Sequence, residues 1–494
     1  MEIFVPLSRA TVLFVATGLL TAVGAVPAFA DSHPPSDELD WSLCADIARG
    51  WDPEDDVTEC TTVSVPLDHD EPDGRTIDIA VNRVPATEES RFPILLNPGG
   101  PGHQGVTMPR HILESRAADL GRHHDLVGFD ARGVGYSEGV DCEYDWSEPD
   151  PGLRGEELDR YITERDTQST LDCYDRDPQL AASMTTENVA RDMDVVREAL
   201  GVERIGFFGV SWGSLLGATY RSMYDDRVEA MLLESVASPD FNVSLLDEGQ
   251  VTAANATFHR FTDWMSVHDA VYGLGKDSEQ LRESVLDLQR ELARNPRTGP
   301  DGRIVDHDSV TALLATPERE WPANAEALTV LMDGGVPGLE AQAHNPVGTG
   351  WDAETMGANY FALVAMQCND SDSPRDFETV WQNKVERSER FPAMGTMGLS
   401  ETTCVGWPLE GASPALTAGD SPLQLVAHTH EVITPHWWAR EMQDVVGGEL
   451  MSVEDDGHGT LKDLDCAEAA VAFFDTGRTT TETCPGPALP DPSA

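Results

Sequence analysis

The chain has 494 residues, more than a minimal domain needs, and this length predicts a core domain with a sizeable insertion. Hydrophobic residues make up 40% of it and charged residues 24%, a mix that excludes a mainly disordered protein. Its 87 acidic residues outnumber the 33 lysines and arginines and give a net charge of −54, which argues against nucleic acid and anionic membranes as partners.

Two origins of this acidity stay open. Dense carboxylates, with lysine only at positions 276, 384 and 462, fit a protein adapted to high salt, because dissolved ions screen the repulsion between the carboxylates. A host genome biased toward arginine and acidic codons would give the same composition.

Residues 1–30 have the pattern of a secretory signal peptide. Arg9 lies in a short head, an apolar run covers 10–25, and Ala-Phe-Ala at 28–30 offers the small residues that a signal peptidase reads, with cleavage before Asp31. The apolar run is short for a membrane span, and no later segment is long and apolar enough to cross a bilayer. We therefore expect a secreted, extracellular protein without a membrane span once the signal is removed.

All eight cysteines follow the signal peptide, and an even number in an exported protein favours disulfides over a metal site or a catalytic thiol. No CxxC motif occurs, so a zinc site has little support, and we expect neither a metal nor another cofactor. The cysteines fall into four local couples, each of which we predict to be a disulfide: Cys44 with Cys60, Cys142 with Cys173, Cys368 with Cys404, and Cys466 with Cys484.

Short apolar runs, each ending in a polar or glycine-rich loop, predict buried parallel strands in the first half of the chain. A helix is predicted between two of them, where Thr186 can cap an apolar face that ends at Gly201. Strands that alternate with helices predict an α/β fold with a doubly wound, mostly parallel sheet. The runs lie at 94–96, 126–129, 205–208 and 230–233, after an alternating strand at 76–84.

The pattern changes at about residue 240, where helical periodicity and several tryptophans replace the strand signals until residue 400. Strand signals resume at 423–427 and 450–453. The sequence therefore predicts four segments after the signal peptide: a first part of the core at 31–239, a mostly helical insertion at 240–400, a second part of the core at 401–487 and a loose, proline-rich tail at 488–494.

The motif Gly209-Val210-Ser211-Trp212-Gly213 points to a nucleophilic serine. It follows the apolar run at 205–208 and precedes a segment, 215–222, that can form a helix. A strand that turns sharply into a helix projects the serine alone above the sheet edge, and the flanking glycines tolerate the crowded turn. The alternative is a glycine-rich turn with an incidental serine, but the strand and the helix around it favour a nucleophile.

A serine alcohol needs a base to become a nucleophile. In this type of fold the chain order is serine, acid, histidine, and the histidine follows the last strand. His458 has that position, just after the run at 450–453, and is the predicted base. Other histidines, such as His123, His124 and His428, lack that placement.

The predicted acid is Glu431, because it lies just past the preceding strand at 423–427. It would hold the imidazole tautomer and stabilise the imidazolium. Glu234 and Asp240 are rival acids, since they follow an earlier strand, and a solvated loop carboxylate is the plain alternative for Glu431.

The oxyanion of an acyl-transfer reaction needs two backbone N–H donors. Trp212, the residue after the nucleophile, is expected to supply one, and Gly100 in the glycine-rich loop 99–102 the other. Glycine-rich loops also bind phosphates, but no P-loop lysine follows and the spacing is not GxGxxG, so a nucleotide site has weak support.

Several motifs occur in a characteristic order along residues 41–484. They are Asn97-Pro98-Gly99-Gly100-Pro101-Gly102, Asp130-Ala131-Arg132-Gly133-Val134-Gly135-Tyr136-Ser137, the Ser211 motif, Cys368-Asn369-Asp370, Cys404-Val405-Gly406-Trp407-Pro408, Thr434-Pro435 and Gly457-His458-Gly459. Together they resemble the exported tripeptidyl aminopeptidases of actinobacteria, α/β-hydrolases related to the prolyl iminopeptidases and carrying a TAP-like C-terminal segment.

This resemblance implies the α/β-hydrolase fold, a helical cap over the active site, and removal of short peptides from a free N-terminus. The chain departs from the family at two positions: Glu431 stands where the family has aspartate, and Trp212 where it has tyrosine. Glutamate is an accepted triad acid in this fold, so we expect activity with shifted geometry and a bulkier pocket wall.

An aminopeptidase must also recognise a protonated α-amine, which a carboxylate in a pocket of low dielectric would do. Asp370 and Glu234 are candidates for this substrate-binding role. In a chain with 87 acidic residues, a structural or solvated role is the alternative for each.

The sequence thus predicts a serine exopeptidase that releases short peptides, tripeptides foremost, through Ser211, His458 and Glu431. A carboxylesterase or lipase with the same triad, acting on a small ester, is the second possibility. An inactive, hydrolase-like binding protein is the third, and the complete triad argues against it.

Overall fold

The computed structural model describes residues 39–150, 152–300, 302–338, 359–397 and 400–492, and the predicted signal peptide lies outside them. Within these ranges the strands are β1 Ser42–Leu43, β2 Glu59–Pro66, β3 Thr76–Val84, β4 Ile94–Asn97, β5 Leu126–Phe129, β6 Ile205–Val210, β7 Val228–Glu234, β8 Arg297–Thr298, β9 Ile304–Val305, β10 Leu423–His428, β11 Glu449–Glu454 and β12 Cys484–Pro485.

One large sheet has the order β1-β2-β3-β5-β4-β6-β7-β10-β11-β12. From β5 through β12 each pair of neighbours is parallel, and the antiparallel pairs are β1–β2, β2–β3 and β3–β5 at one edge. β4, β5, β6 and β10 are buried along their whole length, which is why they read as continuous apolar runs in the sequence. The predicted fold class, an α/β fold with a mostly parallel sheet, is confirmed.

Helices cover both faces of this sheet because successive strand side chains point to opposite faces. Leu95 and Phe207 lie in one hydrophobic cluster, while Leu96 and Phe208 lie in another on the opposite face. The helices of the sheet region are Cys44–Ile47, Met108–Leu113, Leu120–His123, Gly155–Tyr174, Pro178–Ser183, Thr186–Ala199, Trp212–Tyr224, His436–Val446 and Glu468–Thr476.

The helix Thr186–Ala199 is capped one residue earlier than the sequence indicates. The side chain of Thr185 accepts a hydrogen bond from the N–H of Asn188, and the helix ends before Gly201, which has φ +71°. Thr186 instead has a partner in the candidate site described below.

Between β7 and β10 the described residues form mainly helices up to Thr403, and part of them form a hydrophobic cluster of their own around Phe261, Trp264 and Trp321. The short hairpin of β8 and β9 interrupts the helices. The described helices of this insertion are Val243–Val267, Asp269–Tyr272, Ser278–Arg294, His307–Leu314, Trp321–Met332, Tyr360–Asn369, Phe377–Arg390 and Ser400–Thr403.

The end of the insertion packs with the sheet instead of with the insertion's own cluster. Phe361 and Cys368 of the insertion belong to the hydrophobic cluster on one face of the sheet, together with Cys404 and Trp407, which follow the insertion. The helix Tyr360–Asn369 is therefore part of the main core in packing, although it lies within the predicted insertion.

The structure contains four disulfides, and they join the four couples expected from the sequence. In the chain-entropy account, loops of these lengths stabilise the folded state by about 3–4 kcal/mol for each disulfide. The pairs are Cys44–Cys60, Cys142–Cys173, Cys368–Cys404 and Cys466–Cys484.

None of the helices in the described ranges combines the length and the apolar character that a membrane crossing requires. In the same ranges no group of histidine, cysteine and carboxylate side chains is arranged to hold a metal ion.

Candidate active site

Ser211 occupies a strained turn between β6 and the helix Trp212–Tyr224. Its backbone has φ 59° and ψ −126°, a conformation that is costly for a residue other than glycine. The turn is tight, since a Cβ atom at Gly209 would lie 2.3 Å from the carbonyl oxygen of Gly213. The Ser211 N–H donates to the carbonyl oxygen of Glu234 at 3.0 Å, which anchors the turn to β7. This arrangement leaves the serine side chain on the wall of a cavity.

His458 and Glu431 form a close pair on the loops that follow β11 and β10. The two strands are parallel neighbours, so their carboxyl ends bring both loops to the same edge of the sheet. His458 Nδ1 lies 2.5 Å from Glu431 Oε1, and His458 lines the same cavity as Ser211. A carboxylate at Nδ1 places the proton on that nitrogen and directs Nε2 away from the acid, which suits a base that receives a serine proton.

The Glu431 carboxylate is buried and held by its own loop. Oε1 accepts hydrogen bonds from the N–H of Thr434 at 3.0 Å and from the Thr434 hydroxyl. The position of the acid is therefore fixed by the turn between β10 and the following helix, His436–Val446. The glutamate side chain reaches His458 from this loop.

The glycine-rich loop after β4 lies directly against the serine turn. At Gly99 the backbone has φ +88°, and a Cβ atom there would lie 2.6 Å from the Cβ of Ser211 and 3.2 Å from the backbone nitrogen of Trp212. Asn97 Oδ1 accepts a hydrogen bond from the Gly99 N–H at 2.9 Å, which fixes the loop. Gly100 and Trp212, the predicted oxyanion residues, both line the cavity beside Ser211.

His103 is a residue of this site that the sequence analysis missed. Its N–H donates to the carbonyl oxygen of Gly100 at 2.7 Å, and its ring lies where a Gly100 side chain would start. Burial lowers the pKa of His103, and the neighbouring His458 lowers it further, so the ring is neutral near pH 7. The sequence signal that could have identified His103 as a site residue is its position directly after the glycine-rich loop 99–102.

Asp370 is not where a substrate-binding carboxylate would have to be. It is 3% exposed, lies outside the cavity wall, and its Oδ2 accepts hydrogen bonds from the N–H and the hydroxyl of Thr186 at 2.9 and 2.6 Å. The Thr186 hydroxyl in turn accepts from the indole Nε1 of Trp212 at 3.0 Å. Asp370 therefore supports the side chain of the residue that follows the nucleophile, and burial raises its pKa to about 7.

Glu234 lines the cavity, but its carboxylate is already engaged. The side chain is fully buried, and Oε1 accepts a hydrogen bond from the N–H of Leu461 at 2.6 Å and lies 3.2 Å from His428 Nε2. The geometry pairs Glu234 with His428 and leaves Glu431 as the partner of His458. Asp240, the other rival acid, is exposed on the cavity wall.

The cavity around Ser211 has a volume of about 1330 Å³. Its far wall comes from the insertion, including Leu246 and Gln250 of the helix Val243–Val267 and Asp308 of the helix His307–Leu314. The insertion also holds the acid loop, since the side chain of Gln250 donates to the carbonyl oxygen of Ile433 at 3.0 Å. The sheet edge and the insertion thus both line the cavity in which Ser211 lies.

Two family models match the chain. One, described as alpha/beta hydrolase fold, covers residues 93–314, and the other, described as TAP-like protein, covers residues 391–484. The first range contains the serine turn and the second contains the Glu431–His458 pair.

Three relatives illustrate the similarity of the full chain. A tripeptidyl aminopeptidase of Streptomyces lividans is 29% identical over 92% of this chain and 88% of its own length. A protein named carboxylesterase B from Mycobacterium tuberculosis H37Rv is 30% identical over 88% of this chain and 87% of its own. The serine protease Hip1 of the same strain is 26% identical over 85% of each chain.

Proposed function

The chain belongs to the α/β-hydrolase family with a TAP-like C-terminal segment, and we propose that it is a secreted serine exopeptidase that releases short peptides, tripeptides foremost, from free N-termini. The observation that carries this proposal is that the strained Ser211 turn and the Glu431–His458 pair line the same cavity. The names of the relatives support the peptidase reading and the serine hydrolase class.

In the proposed reaction, His458 takes the proton of Ser211 as the oxygen attacks the scissile carbonyl. Glu431 stabilises the imidazolium that forms, and the backbone N–H groups of Trp212 and Gly100 stabilise the oxyanion. His458 then gives its proton to the leaving amine. Water, activated by the same histidine, attacks the acyl-enzyme and releases the short peptide.

The insertion supports cleavage near a chain end in this proposal. As a cap over Ser211, it closes the cavity on the side away from the sheet and limits how much peptide fits beside the nucleophile. Because Asp370 and Glu234 are engaged elsewhere, recognition of the protonated α-amine passes to carboxylates of the cavity wall, of which Asp240 and Asp308 are examples.

A comparison of three substrates tests this proposal: a tripeptidyl arylamide with a free amine, its N-acetylated form and a short acyl ester. We expect the free peptide to have the highest kcat/KM, and the Ser211→Ala variant to hydrolyse none of the three. Equal rates on the free and the acetylated peptide would contradict exopeptidase action.

Carboxylesterase activity is the second candidate, because a relative at 30% identity carries that name and the same triad cleaves esters. In that case the acyl ester would be the best substrate, and blocking a peptide amine would have no effect. An inactive binding protein would not react with a fluorophosphonate probe, whereas both enzyme proposals require labelling at Ser211.

Secretion is part of the proposal and has two supports. The signal-like residues 1–30 precede the domain, and the four disulfides fit an oxidising compartment. Expression in a secreting host followed by N-terminal sequencing should find a mature chain in the medium that begins at Asp31. Retention of the uncleaved chain in the cell would contradict it.

A further inference from the structure

A second histidine lies buried behind the candidate catalytic pair. His428 is the last residue of β10, and its ring is held at both nitrogens by carboxylates. Nδ1 lies 2.5 Å from Asp455 Oδ1, and Nε2 lies 3.2 Å from Glu234 Oε1. Exposure is 0% for His428, 0% for Glu234 and 5% for Asp455, so these three side chains are shielded from solvent. We call this carboxylate–histidine–carboxylate cluster the relay.

The Glu234 end of the relay holds the serine turn and the histidine loop. Its main-chain oxygen accepts from the N–H of Ser211 at 3.0 Å, and its Oε1 accepts from the N–H of Leu461 at 2.6 Å. Leu461 comes three residues after His458. Glu234 thus contacts both loops that must meet for the serine to lose its proton, one through its main chain and the other through its side chain.

The other end of the relay holds the acid loop. The main-chain oxygen of Asp455 accepts from the N–H of His430 at 2.9 Å, and the N–H of Glu431 donates to the main-chain oxygen of His428 at 3.4 Å. Asp455 itself precedes His458 by three residues. The relay therefore touches the backbone of all three loops that carry the triad.

The charges in this cluster need a cation. Glu234, Asp455 and Glu431 are buried together, and buried like charges are costly unless an opposite charge compensates them. Burial lowers the pKa of His428, but its hydrogen bonds with Asp455 and Glu234 and the charge of Glu431 outweigh this and raise it to about 10. His436, on the helix after the acid loop, also interacts with this ring electrostatically.

We propose that His428 is a positioning residue whose imidazolium joins the loops of Ser211, Glu431 and His458 and compensates the charge of the three neighbouring carboxylates. This inference rests on the triad chemistry of the proposed function but not on whether the substrate is a peptide or an ester. It assigns Glu234 and Asp455 to the same relay, in place of the substrate-binding role expected for Glu234.

The first test compares His428→Gln with a matched control, His124→Gln. His124 is equally buried, at 1% exposure, and its ring also has a hydrogen-bonding partner, the carbonyl oxygen of Phe92 at 3.0 Å, but it lies away from the triad loops. We expect His428→Gln to lower kcat by about 100-fold with little change in KM, because loops displaced by 1 Å misalign the triad. The control should keep the wild-type kcat per folded molecule.

The second test is the pH dependence of kcat/KM. If His428 had a purely structural role, its replacement would not shift this pH profile. Removing the cation in His428→Gln leaves the neighbouring carboxylates uncompensated and favours proton binding in the site, so the acid limb of the profile should move to higher pH. Asp455→Asn removes an anion from the same cluster, so its acid limb should move to lower pH. The second variant also covers the case in which His428→Gln does not fold.

Both tests are run with the arylamide and with the ester. A failure of the proposed peptidase function can then be distinguished from a failure of the proposed role of His428. A wild-type enzyme that cleaves only the ester would contradict the peptidase function. The role of His428 would then be tested with the ester as substrate. Equal kcat in His428→Gln and His124→Gln, or acid limbs that do not move in opposite directions in His428→Gln and Asp455→Asn, would overturn the relay.

Discussion

Gly99 and Ser211 approach so closely that a Cβ atom on the glycine would lie 2.6 Å from the Cβ of the serine. The contact joins the loop after β4 to the turn after β6, and these strands are parallel neighbours in the sheet. The geometry of the nucleophile is therefore set by two segments more than a hundred residues apart in the chain.

This contact predicts that Gly99→Ala abolishes most activity. The new methyl group must push the loop or the serine turn aside, and a displacement of 1 Å costs about 100-fold in rate. Gly50→Ala is the control, because Gly50 has a similar φ of +85° but nothing within 4 Å of its added Cβ. Steady-state kinetics should show a large loss of kcat only for Gly99→Ala, and equal rates in the two variants would contradict the steric argument.

The short distance of 2.5 Å between Glu431 Oε1 and His458 Nδ1 predicts that activity depends on both the charge and the length of the Glu431 side chain. Glu431→Gln keeps the size but loses the charge that stabilises the imidazolium, and we expect kcat to fall by about 10⁴-fold, as in other triads. Glu431→Asp keeps the charge but draws it back by one methylene, so it should lose less than the glutamine variant. Near-full activity of Glu431→Gln, measured with the best substrate, would transfer the acid role to another carboxylate such as Asp240.

The serine turn and its strand could be predicted from the sequence because their signals are local. A continuous apolar strand, a GxSxG motif and a helix follow one another within twenty residues. His458 and Glu431 could also be predicted, since each comes just after a strand whose apolar run is visible, and parallel strands bring such loops together.

The roles of Asp370 and Glu234 could not be predicted, because their partners are distant in the sequence. Asp370 binds Thr186, which is 184 residues away, and Glu234 meets His428 at a separation of 194 residues. A single sequence shows that these side chains are carboxylates but not what faces them. His428 does not follow the last strand, as the predicted base must, and its carboxylate partners come from the ends of two other strands.

Burial of Asp370 predicts a specific pH dependence of stability. Its pKa is raised from 3.8 to about 7 in the folded protein, so the folded state binds this proton more tightly than the unfolded chain does. Its contribution to the free energy of unfolding is fully present below pH 3.8 and is lost as the pH rises toward 7. Between pH 4 and 8, the free energy of unfolding measured in urea should therefore decrease less with rising pH for Asp370→Asn than for the wild type.

The control for that measurement is Asp240→Asn, which removes an exposed carboxylate on the cavity wall. It should leave the pH slope of the wild type unchanged. A slope for Asp370→Asn equal to that of the wild type would mean that the Asp370 carboxyl group titrates as it does in water.

The net charge of −54 predicts that salt stabilises the folded protein. Even if each of the 33 lysines and arginines were paired with an acid, most of the 87 acidic residues would still face one another across the surface, so repulsion outweighs the attraction that salt also screens. Potassium chloride shortens the screening length from about 10 Å at 0.1 M to about 3 Å at 1 M. The Tm should accordingly rise by several degrees over that range, as measured by calorimetry at neutral pH. Sucrose at matched osmolality adds no ions and controls for solvent exclusion, so an equal rise in sucrose, or no rise in salt, would favour codon bias over salt adaptation as the origin of the acidity.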